Sequence, residues 1–499
     1  MLRLLGSRKS LCNGMSRRDL LHVGGLGLFG VGLSNYLELA QAAPAAHHGL
    51  PNFGRAKSCI LLYLFGSPPQ HETWDPKPDA PVEIQGELKA IRSAIPGIQI
   101  GEGLPQVAKV LDRVTVVRTL NHQFPLHGVT YSVSGVPTVD PTIEADPRDP
   151  RLYPFIGSVV DYLAQQSSGG SIPAVPRNMA LPFLFYSRCN FRPIGGPYAS
   201  FLGSQYNPVW TDFPDEGTKP SGKVDDRQAG IFNDPYEAID PASKLMLSGA
   251  GEIPKDVPTD RFLTRRMLLD QFDHARRASD DHRSIKAYST YQQMAYSLLT
   301  STKVREALDV QREPADMRER YGMHLFGQSA LAARRLVEAG SKFVTVFWDA
   351  YGYNTGGWDT HAYHYPRLKS LLLPGFDQTF SALILDLEAR GLLDETLILV
   401  LSEHGRSPKI LSNVPGGGRD HWSRTYPAVL AGGGVPRGKV VGRTDSTAGD
   451  IISTPMSPKD ILATAFHLLG IDPETMVTNQ VNRPVGISGD GRVRPELLA

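Results

Sequence analysis

The chain has 499 residues, of which 41% are hydrophobic and 21% charged, and its formal net charge is +1. These proportions are typical of a soluble globular protein with one large or two medium domains. A charge so close to zero, without a block of basic residues, argues against a general binder of nucleic acid or of membrane surfaces. Because the sequence contains no Cys-x-x-Cys pair, a metal site built from thiolates is not expected, and a disulfide between Cys59 and Cys189 is left open.

The first 42 residues are interpreted as an export signal rather than as part of the fold. Arg17 and Arg18 precede an apolar run over residues 20–33, which is too short to span a bilayer, and small residues around Ala42 suit a signal peptidase. The paired arginines indicate the twin-arginine pathway, and hence a periplasmic or extracellular protein with no stable membrane span after the signal is removed. An ordinary secretion signal or a retained anchor is the alternative.

Residues 43–499 alternate short apolar runs with helical patterns. The runs predict strands over residues 58–65, 113–119, 342–348, 396–401 and 426–431. The helical patterns cover residues 325–339, 375–389 and 458–469. Continuous apolar strands that alternate with helices indicate an α/β fold with a mainly parallel, doubly wound sheet flanked by helices.

Residues 139–321 interrupt this alternation. They open with an acidic, proline-rich segment, continue through an irregular stretch, and end in charged helical patterns between residues 260 and 313. We interpret the region as an insertion or cap on the sheet domain, whose loops shape a substrate pocket. A separately folding second domain is the alternative.

Acidic and imidazole side chains stand next to the predicted strands. Asp359 and His361 come after the strand over residues 342–348, Glu403 and His404 come after the next strand, and His421 lies just ahead of the last. The histidines in loops beside predicted strands are His71, His122, His127, His361, His364, His404 and His421. Because sites in parallel sheets form at the carboxyl ends of the strands, we expect these side chains to converge. The pattern predicts a site for divalent metal ions, since zinc, manganese and iron prefer imidazole with carboxylate, whereas calcium prefers oxygen alone.

Three motifs, GWDTH, SEHGRSP and GRDHW in this order, make the chain resemble an uncharacterised family of exported bacterial proteins. That family is grouped with the alkaline phosphatase and sulfatase superfamily, so the resemblance implies an alkaline phosphatase-like core over residues 43–499. It also implies one or two divalent ions, zinc or manganese, as cofactors. The metal ligands that it implies are Glu72, Asp359, His361, Glu403, His404 and His421, with Asp75 as a weaker candidate for the early carboxylate. Glu403 departs from the superfamily pattern, which has Asp at this place.

The nucleophile is the largest departure from that pattern. Hydrolases of the superfamily attack with a Ser, a Thr or a modified Cys at the start of a helix. The sequence has no Cys-x-Pro-Ser-Arg signature, so a formylglycine sulfatase is not expected, while residues 127–135 offer Thr130, Ser132 and Ser134. A metal-activated water molecule is the alternative, because a bound divalent ion lowers the pKa of water to about 7.

Together these features predict an exported, metal-dependent hydrolase of phosphate or sulfate esters, carried on small molecules or polymers. Arg419, two residues before His421, is expected to stabilise the anionic oxygens that develop during the reaction, and Arg406 is a second candidate. A metal-binding surface protein that has lost catalysis is the main alternative. A phosphoryl transferase or mutase on the same fold is a further one.

Overall fold

The computed structural model describes residues 49–124, 127–136, 146–147, 149, 151–169, 171, 173–189, 194–222, 232–248, 301–352 and 357–499. The interpreted export signal and most of the charged helical patterns between residues 260 and 313 lie outside these ranges. Residues 51–499 form the structural unit considered below. Within the described ranges, no helix has both the length and the apolar character needed to cross a membrane.

A nine-stranded sheet organises this unit, and its strands run mainly in parallel. In chain order the strands are β1 (Ser58–Leu64), β2 (Val114–Leu120), β3 (Asn178–Leu181), β4 (Val209–Asp212), β5 (Met246–Leu247), β6 (Phe343–Trp348), β7 (Thr396–Leu401), β8 (Tyr426–Ala431) and β9 (Lys439–Val441). Their order across the sheet is β9-β2-β8-β7-β1-β6-β3-β4-β5. Only β8 and β5 run antiparallel to their neighbours in this sheet.

Helices and short two-stranded ribbons complete the described unit. The helices are α1 (Val82–Gln85), α2 (Pro105–Val110), α3 (Val129–Ser134), α4 (Ile156–Ser167), α5 (Thr302–Leu308), α6 (Ala315–Tyr321), α7 (Leu325–Glu338), α8 (His364–Arg367), α9 (Leu373–Ala389) and α10 (Pro458–Leu468). The ribbons pair Ala90–Arg92 with Gln99–Gly101, Gly405–Arg406 with His421–Trp422, Arg443–Thr444 with Ile451–Ser453, and Met476–Thr478 with Pro484–Gly486.

The central strands are apolar along their whole length because both faces of the sheet are covered. Every residue of β1 is buried, although successive side chains point to opposite faces. Leu62 belongs to the core that includes residues of α7 and α9. On the opposite face, Phe343 of β6 packs edge-on against Phe155 at the start of α4, with 5.4 Å between ring centroids. The predicted α/β class, with a mainly parallel sheet flanked by helices, is confirmed.

Helix α7 begins where the sequence pattern places it, and a histidine caps it. The side chain of His324 accepts a hydrogen bond from the backbone N–H of Gly327 through Nδ1, at 3.2 Å. Such a bond satisfies one of the N–H groups that the first turn of a helix leaves unpaired. Gly340 follows the helix with a φ of 108°, a conformation that glycine adopts without steric cost.

The region over residues 139–321 contributes three strands to the sheet. β3 pairs in parallel with β6, β4 pairs with β3, and β5 closes that edge. The described strands of this region therefore extend the sheet at one edge. The sequence does not reveal the strands, because runs of two to four residues carry too little periodicity. Cys59 and Cys189 are not bonded to each other.

Candidate metal centre

The rim of the sheet at the carboxyl ends of its parallel strands gathers most of the predicted side chains. His127 follows β2, Asp359 and His361 follow β6, and His404 follows β7. His421 precedes β8 instead of following it. Because β8 runs antiparallel to β2 and β7, its first residue lies at the rim where those strands end. Chain direction therefore explains how a residue ahead of one strand joins residues that follow others.

Asp359 stands at the centre of this group. Its Oδ1 lies 3.1 Å from Nε2 of His361 and 3.4 Å from Nε2 of His421, and its Oδ2 lies 3.4 Å from Nε2 of His127. Arg406 donates to the same Oδ1 from a fully buried position. Burial alone raises the pKa of Asp359, but the charges of Arg406 and His127 outweigh it and hold the pKa well below its ordinary value. The carboxylate is therefore ionised and able to bind a cation.

The imidazoles approach one another closely. Nε2 of His361 lies 3.1 Å from Nε2 of His421, and the ring of His421 lies 4.2 Å from that of His404 and 4.4 Å from that of His127, centroid to centroid. Their donor atoms form two groups, each with all atoms within 4.8 Å of one another. The groups are His127, His404 and His421, and Asp359, His361 and His421. His421 is common to both, so the rim offers ligands for one ion or for two neighbouring ions.

His404 has the features of a metal ligand. Its Nδ1 lies 2.8 Å from the carbonyl oxygen of Gly405, which assigns the proton to Nδ1 and a lone pair to Nε2. That Nε2 is buried and has no hydrogen-bond partner among the residues that the structure describes. Burial, followed by the charges of His421 and His127, holds the pKa of His404 well below its ordinary value, so the ring is neutral. A buried, unpaired lone pair among imidazoles and a carboxylate fits a divalent ion such as zinc or manganese.

Glu403 lies behind His127 and belongs to neither group of donors found among the described residues. Its Oε1 accepts from the backbone N–H of Gly66 at 2.7 Å and from Nδ1 of His127 at 2.8 Å, while Oε2 accepts from the hydroxyl of Tyr63 at 3.3 Å. Burial lowers the pKa of His127, but Asp359 and Glu403 outweigh it and raise the pKa to about 10. His127 is the member of the centre that the sequence motifs miss, since it lies outside all three.

Glu72 and Arg419 lie together in a second buried place. Oε1 of Glu72 accepts from Nη2 of Arg419 at 2.6 Å and from its Nε at 3.1 Å, and its other oxygen lies 3.6 Å from Nε2 of His364. Burial raises the pKa of Glu72, yet the charge of Arg419 outweighs it and lowers the pKa to about 2. The remaining donors of Arg419 are occupied by backbone carbonyls, including those of Ser407 and Ile84. The structure therefore does not bring Glu72 to the metal groups or leave Arg419 open to a substrate.

The other candidates are placed as follows. Asp75 forms ion pairs with Lys77 and Arg118, each at 3.1 Å. Arg406 is held by Asp359 and by backbone carbonyl oxygens, among them that of Ser67 at 3.2 Å. These groups serve the fold and the orientation of Asp359.

The hydroxyls of Thr130 and Ser132 in α3 are buried. Oγ of Ser132 lies 2.7 Å from the hydroxyl of Tyr63, which in turn donates to Glu403. Oγ1 of Thr130 is buried without a hydrogen-bond partner among the described residues. The contacts described here link Ser132 to the centre through Tyr63 and Glu403.

Several solved structures are similar to the chain at low sequence identity. The PsFucS1 sulfatase from Pseudoalteromonas sp. has 11% identity and a TM-score of 0.34, and the similarity covers 84% of this chain and 68% of that one. The phosphonate monoester hydrolase SpPMH from Silicibacter pomeroyi has 11% identity and a TM-score of 0.35, covering 87% and 75%. A protein in the alkaline phosphatase superfamily from Vibrio parahaemolyticus has 10% identity and a TM-score of 0.35, covering 84% and 69%.

No curated protein matches the sequence. Residues 56–498, which span almost all of the structural unit, match the family described as "Protein of unknown function (DUF1501)". The resemblance of the motifs to an uncharacterised family is thereby confirmed, and the chain belongs to the DUF1501 family.

Proposed function

We propose that the protein is a metal-dependent hydrolase of phosphate or sulfate esters whose ions bind to Asp359, His361, His404 and His421. The observation that carries this proposal is the convergence of their donor atoms at one rim of the sheet, in two overlapping groups. A divalent ion bound there would lower the pKa of a water molecule to about 7 and stabilise negative charge on an ester oxygen.

The surrounding residues hold these ligands in orientations that suit the reaction. Nδ1 of His361 lies 2.8 Å from Oδ1 of Asp420, so a proton held on Nδ1 leaves a lone pair on Nε2, which faces Asp359. Arg406 fixes the carboxylate of Asp359 and neutralises part of its charge. Because Arg406 is fully buried and its donors are occupied, its role is to orient Asp359 rather than to touch substrate.

Water is the nucleophile that this arrangement supports best. Thr130 and Ser132 lie buried in α3. The hydroxyl of Ser132 is hydrogen-bonded to the hydroxyl of Tyr63 at 2.7 Å and donates to the carbonyl oxygen of Val129 at 2.8 Å. An ester approaching the open side of the rim would meet exposed imidazoles, whereas both hydroxyls are buried. His361 and His127 supply that open side, since their side chains are 39% and 28% exposed.

Export and substrate choice complete the proposal. Arg17 and Arg18 support export by the twin-arginine pathway, which would place the enzyme in the periplasm or outside the cell. Loops of the region over residues 139–321 would then shape the pocket for a small or polymer-bound ester.

Restoration of turnover by metal tests the proposal. Chelator-treated protein is supplied with Zn²⁺ or Mn²⁺ and assayed on an aryl phosphate and an aryl sulfate. We expect turnover that depends on the metal, that is lost in Asp359→Asn, and that persists in Asp79→Asn, an exposed aspartate used as a matched control. Absence of metal-restored turnover on both esters would remove the enzymatic claim.

A second candidate is a metal-binding protein without catalysis. The observation that favours it is the burial of the candidate hydroxyls Thr130 and Ser132, neither of which lies in the donor groups. This function predicts stoichiometric metal and a thermal stability that falls on chelation, without hydrolysis of either ester. The same preparations therefore decide between the two functions.

A further inference from the structure

We infer that His127 is an additional ligand of the metal centre and that Glu403 is a positioning residue, which holds His127 by its Nδ1 rather than binding the ion. The inference rests on the proposed metal centre and assigns a different role to each of the two residues. The motif resemblance implies the opposite for Glu403, since it places that residue among the ligands.

The hydrogen bond between the two residues sets the direction of the ring. Nδ1 of His127 lies 2.8 Å from Oε1 of Glu403, to which its N–H donates. A cation that displaces the other proton of the imidazolium would therefore meet the ligating lone pair on Nε2. That Nε2 faces the centre, at 3.4 Å from Oδ2 of Asp359. The imidazole of His127 also lies within 4.4 Å of His421 and 5.3 Å of His404, measured between centroids. Nδ1 is therefore hydrogen-bonded to Glu403, while Nε2 points to Asp359 at the centre.

Glu403 is fixed independently of His127. The backbone N–H of Gly66 donates to Oε1 at 2.7 Å, and the hydroxyl of Tyr63 donates to Oε2 at 3.3 Å. Gly66 has a φ of 91°, and a Cβ at this position would lie 2.2 Å from the backbone nitrogen of Asp359, so only glycine fits. The carboxylate is thus held by a main-chain donor just after β1, independently of the hydrogen bond that it accepts from the imidazole.

A neighbouring aromatic ring also restrains the imidazole of His127. The phenyl ring of Phe65 packs at 5.3 Å from the imidazole and limits its rotation. His127 is therefore restrained both at Nδ1, by Glu403, and at its ring, by Phe65.

A double-mutant cycle separates a ligand from the residue that positions it. The affinity for Zn²⁺ alone is measured by competition with a chromophoric chelator, in the full mature chain, for wild type, His127→Ala, Glu403→Gln and the double variant. We expect each single substitution to weaken Zn²⁺ binding by about 10- to 100-fold. The double variant should bind no more than about threefold more weakly than His127→Ala, because Glu403 acts only through His127.

Two outcomes would overturn the inference. If Glu403 binds the ion directly, the losses multiply and the double variant binds far more weakly than either single variant. If His127 is only a cation that balances two carboxylates, His127→Ala leaves the affinity for Zn²⁺ unchanged or raises it. His127→Gln, which keeps a donor for Glu403, provides the same comparison should the alanine variant fail to fold.

A second readout and a control make the assignment specific. In the Cu²⁺-loaded protein, pulsed EPR should detect one coordinated imidazole more in the wild type than in His127→Gln. Tyr63→Phe removes the weaker hydrogen bond to Glu403 and should change Zn²⁺ affinity by less than about threefold. Because no ester is present in these titrations, a failure of hydrolysis and a failure of this inference are observed separately.

Discussion

Nε2 of His361 and Nε2 of His421 lie 3.1 Å apart, and Oδ1 of Asp359 lies 3.1 Å from the first and 3.4 Å from the second. These atoms come from segments about sixty residues apart, one following β6 and the other preceding β8. Two ring nitrogens and a carboxylate oxygen directed at one another would supply three of the four ligands of a tetrahedral zinc site and leave the fourth position to water or substrate. This triangle is the part of the centre for which the sequence and the structure agree most closely.

The shared position of His421 has a consequence for metal content. His421 belongs to both donor groups, whereas His361 belongs to one. We expect His421→Ala to retain less zinc after dialysis than His361→Ala, because the first change weakens both groups and the second leaves His127, His404 and His421 intact. Elemental analysis of both variants beside the wild type measures this. Equal zinc in the two variants would show that the groups do not share a ligand.

The buried pair of Glu72 and Arg419 should contribute to stability rather than to metal binding. Both side chains are fully buried, so Glu72→Gln leaves the charge of Arg419 uncompensated. Breaking such a pair typically costs about 3–5 kcal/mol. We expect a lower midpoint of unfolding in urea, with zinc content unchanged.

Arg437→Met is the control for this substitution, because its ion pairs with Asp394 and Glu388 lie at the surface and should each contribute less than about 1 kcal/mol. Loss of zinc from Glu72→Gln without loss of stability would instead support the ligand role that the motif resemblance implies.

The sequence predicts the centre of the fold because the central strands are buried on both faces. β7 and β8 have the predicted bounds, β1 and β6 differ from prediction by one residue at one end, and β2 differs by one residue at each end. Such strands are continuous apolar runs, which are recognisable without any partner. The edge strands β3 to β5 are too short for this, and their place follows from long-range pairing instead.

The ligands are harder to predict than the strands, since proximity along the chain does not fix where a side chain points. Arg419 is two residues from His421, yet it points to Glu72 and away from the rim. The sequence indicates His127 only as a histidine near a strand end, because it lies outside the three motifs GWDTH, SEHGRSP and GRDHW. The position of His122 and His127 shortly after β2 is the signal that the sequence offers, and position alone does not identify a metal ligand.

Acidification should destabilise the protein through His324. Burial lowers the pKa of this imidazole from 6.5 to about 4, because the protonated form is excluded from the core and Nδ1 must accept from Gly327. A lowered pKa means that the unfolded chain binds more protons between these values, so stability is complete above pH 6.5 and falls as the pH drops toward 4. The loss at pH 4 should be about 3 kcal/mol.

His324→Asn isolates that contribution, because Asn is a favoured N-cap and does not titrate. Urea unfolding from pH 7 to pH 4 measures the free energy of unfolding of both proteins. Acidification should lower that of the wild type more than that of the variant. Burial and the charge of Arg419 lower the pKa of His71 to about 3. Its effect on the pH dependence of stability is the same in both proteins and cancels in the difference between them. A difference that does not change with pH would refute this account of His324.

Replacement of the buried hydroxyl in α3 distinguishes the two modes of attack. If water is the nucleophile, Ser132→Ala should keep metal-dependent turnover within about tenfold of wild type, since Ser132 contacts the centre only through Tyr63 and Glu403. Rates under saturating ester measure this, with Thr130→Val treated in parallel. A loss of more than a thousandfold in either variant, with zinc content unchanged, would identify that hydroxyl as the nucleophile.

Equilibrium dialysis against Zn²⁺ tests most directly whether the rim of the sheet is a metal centre. Chelator-treated wild type is compared with the double variant Asp359→Asn, His421→Ala, and circular dichroism verifies that both are folded. The account predicts one or two zinc ions per wild-type chain and less than half of that in the variant. A folded wild type that binds no zinc, or a variant that binds as much as the wild type, would contradict it.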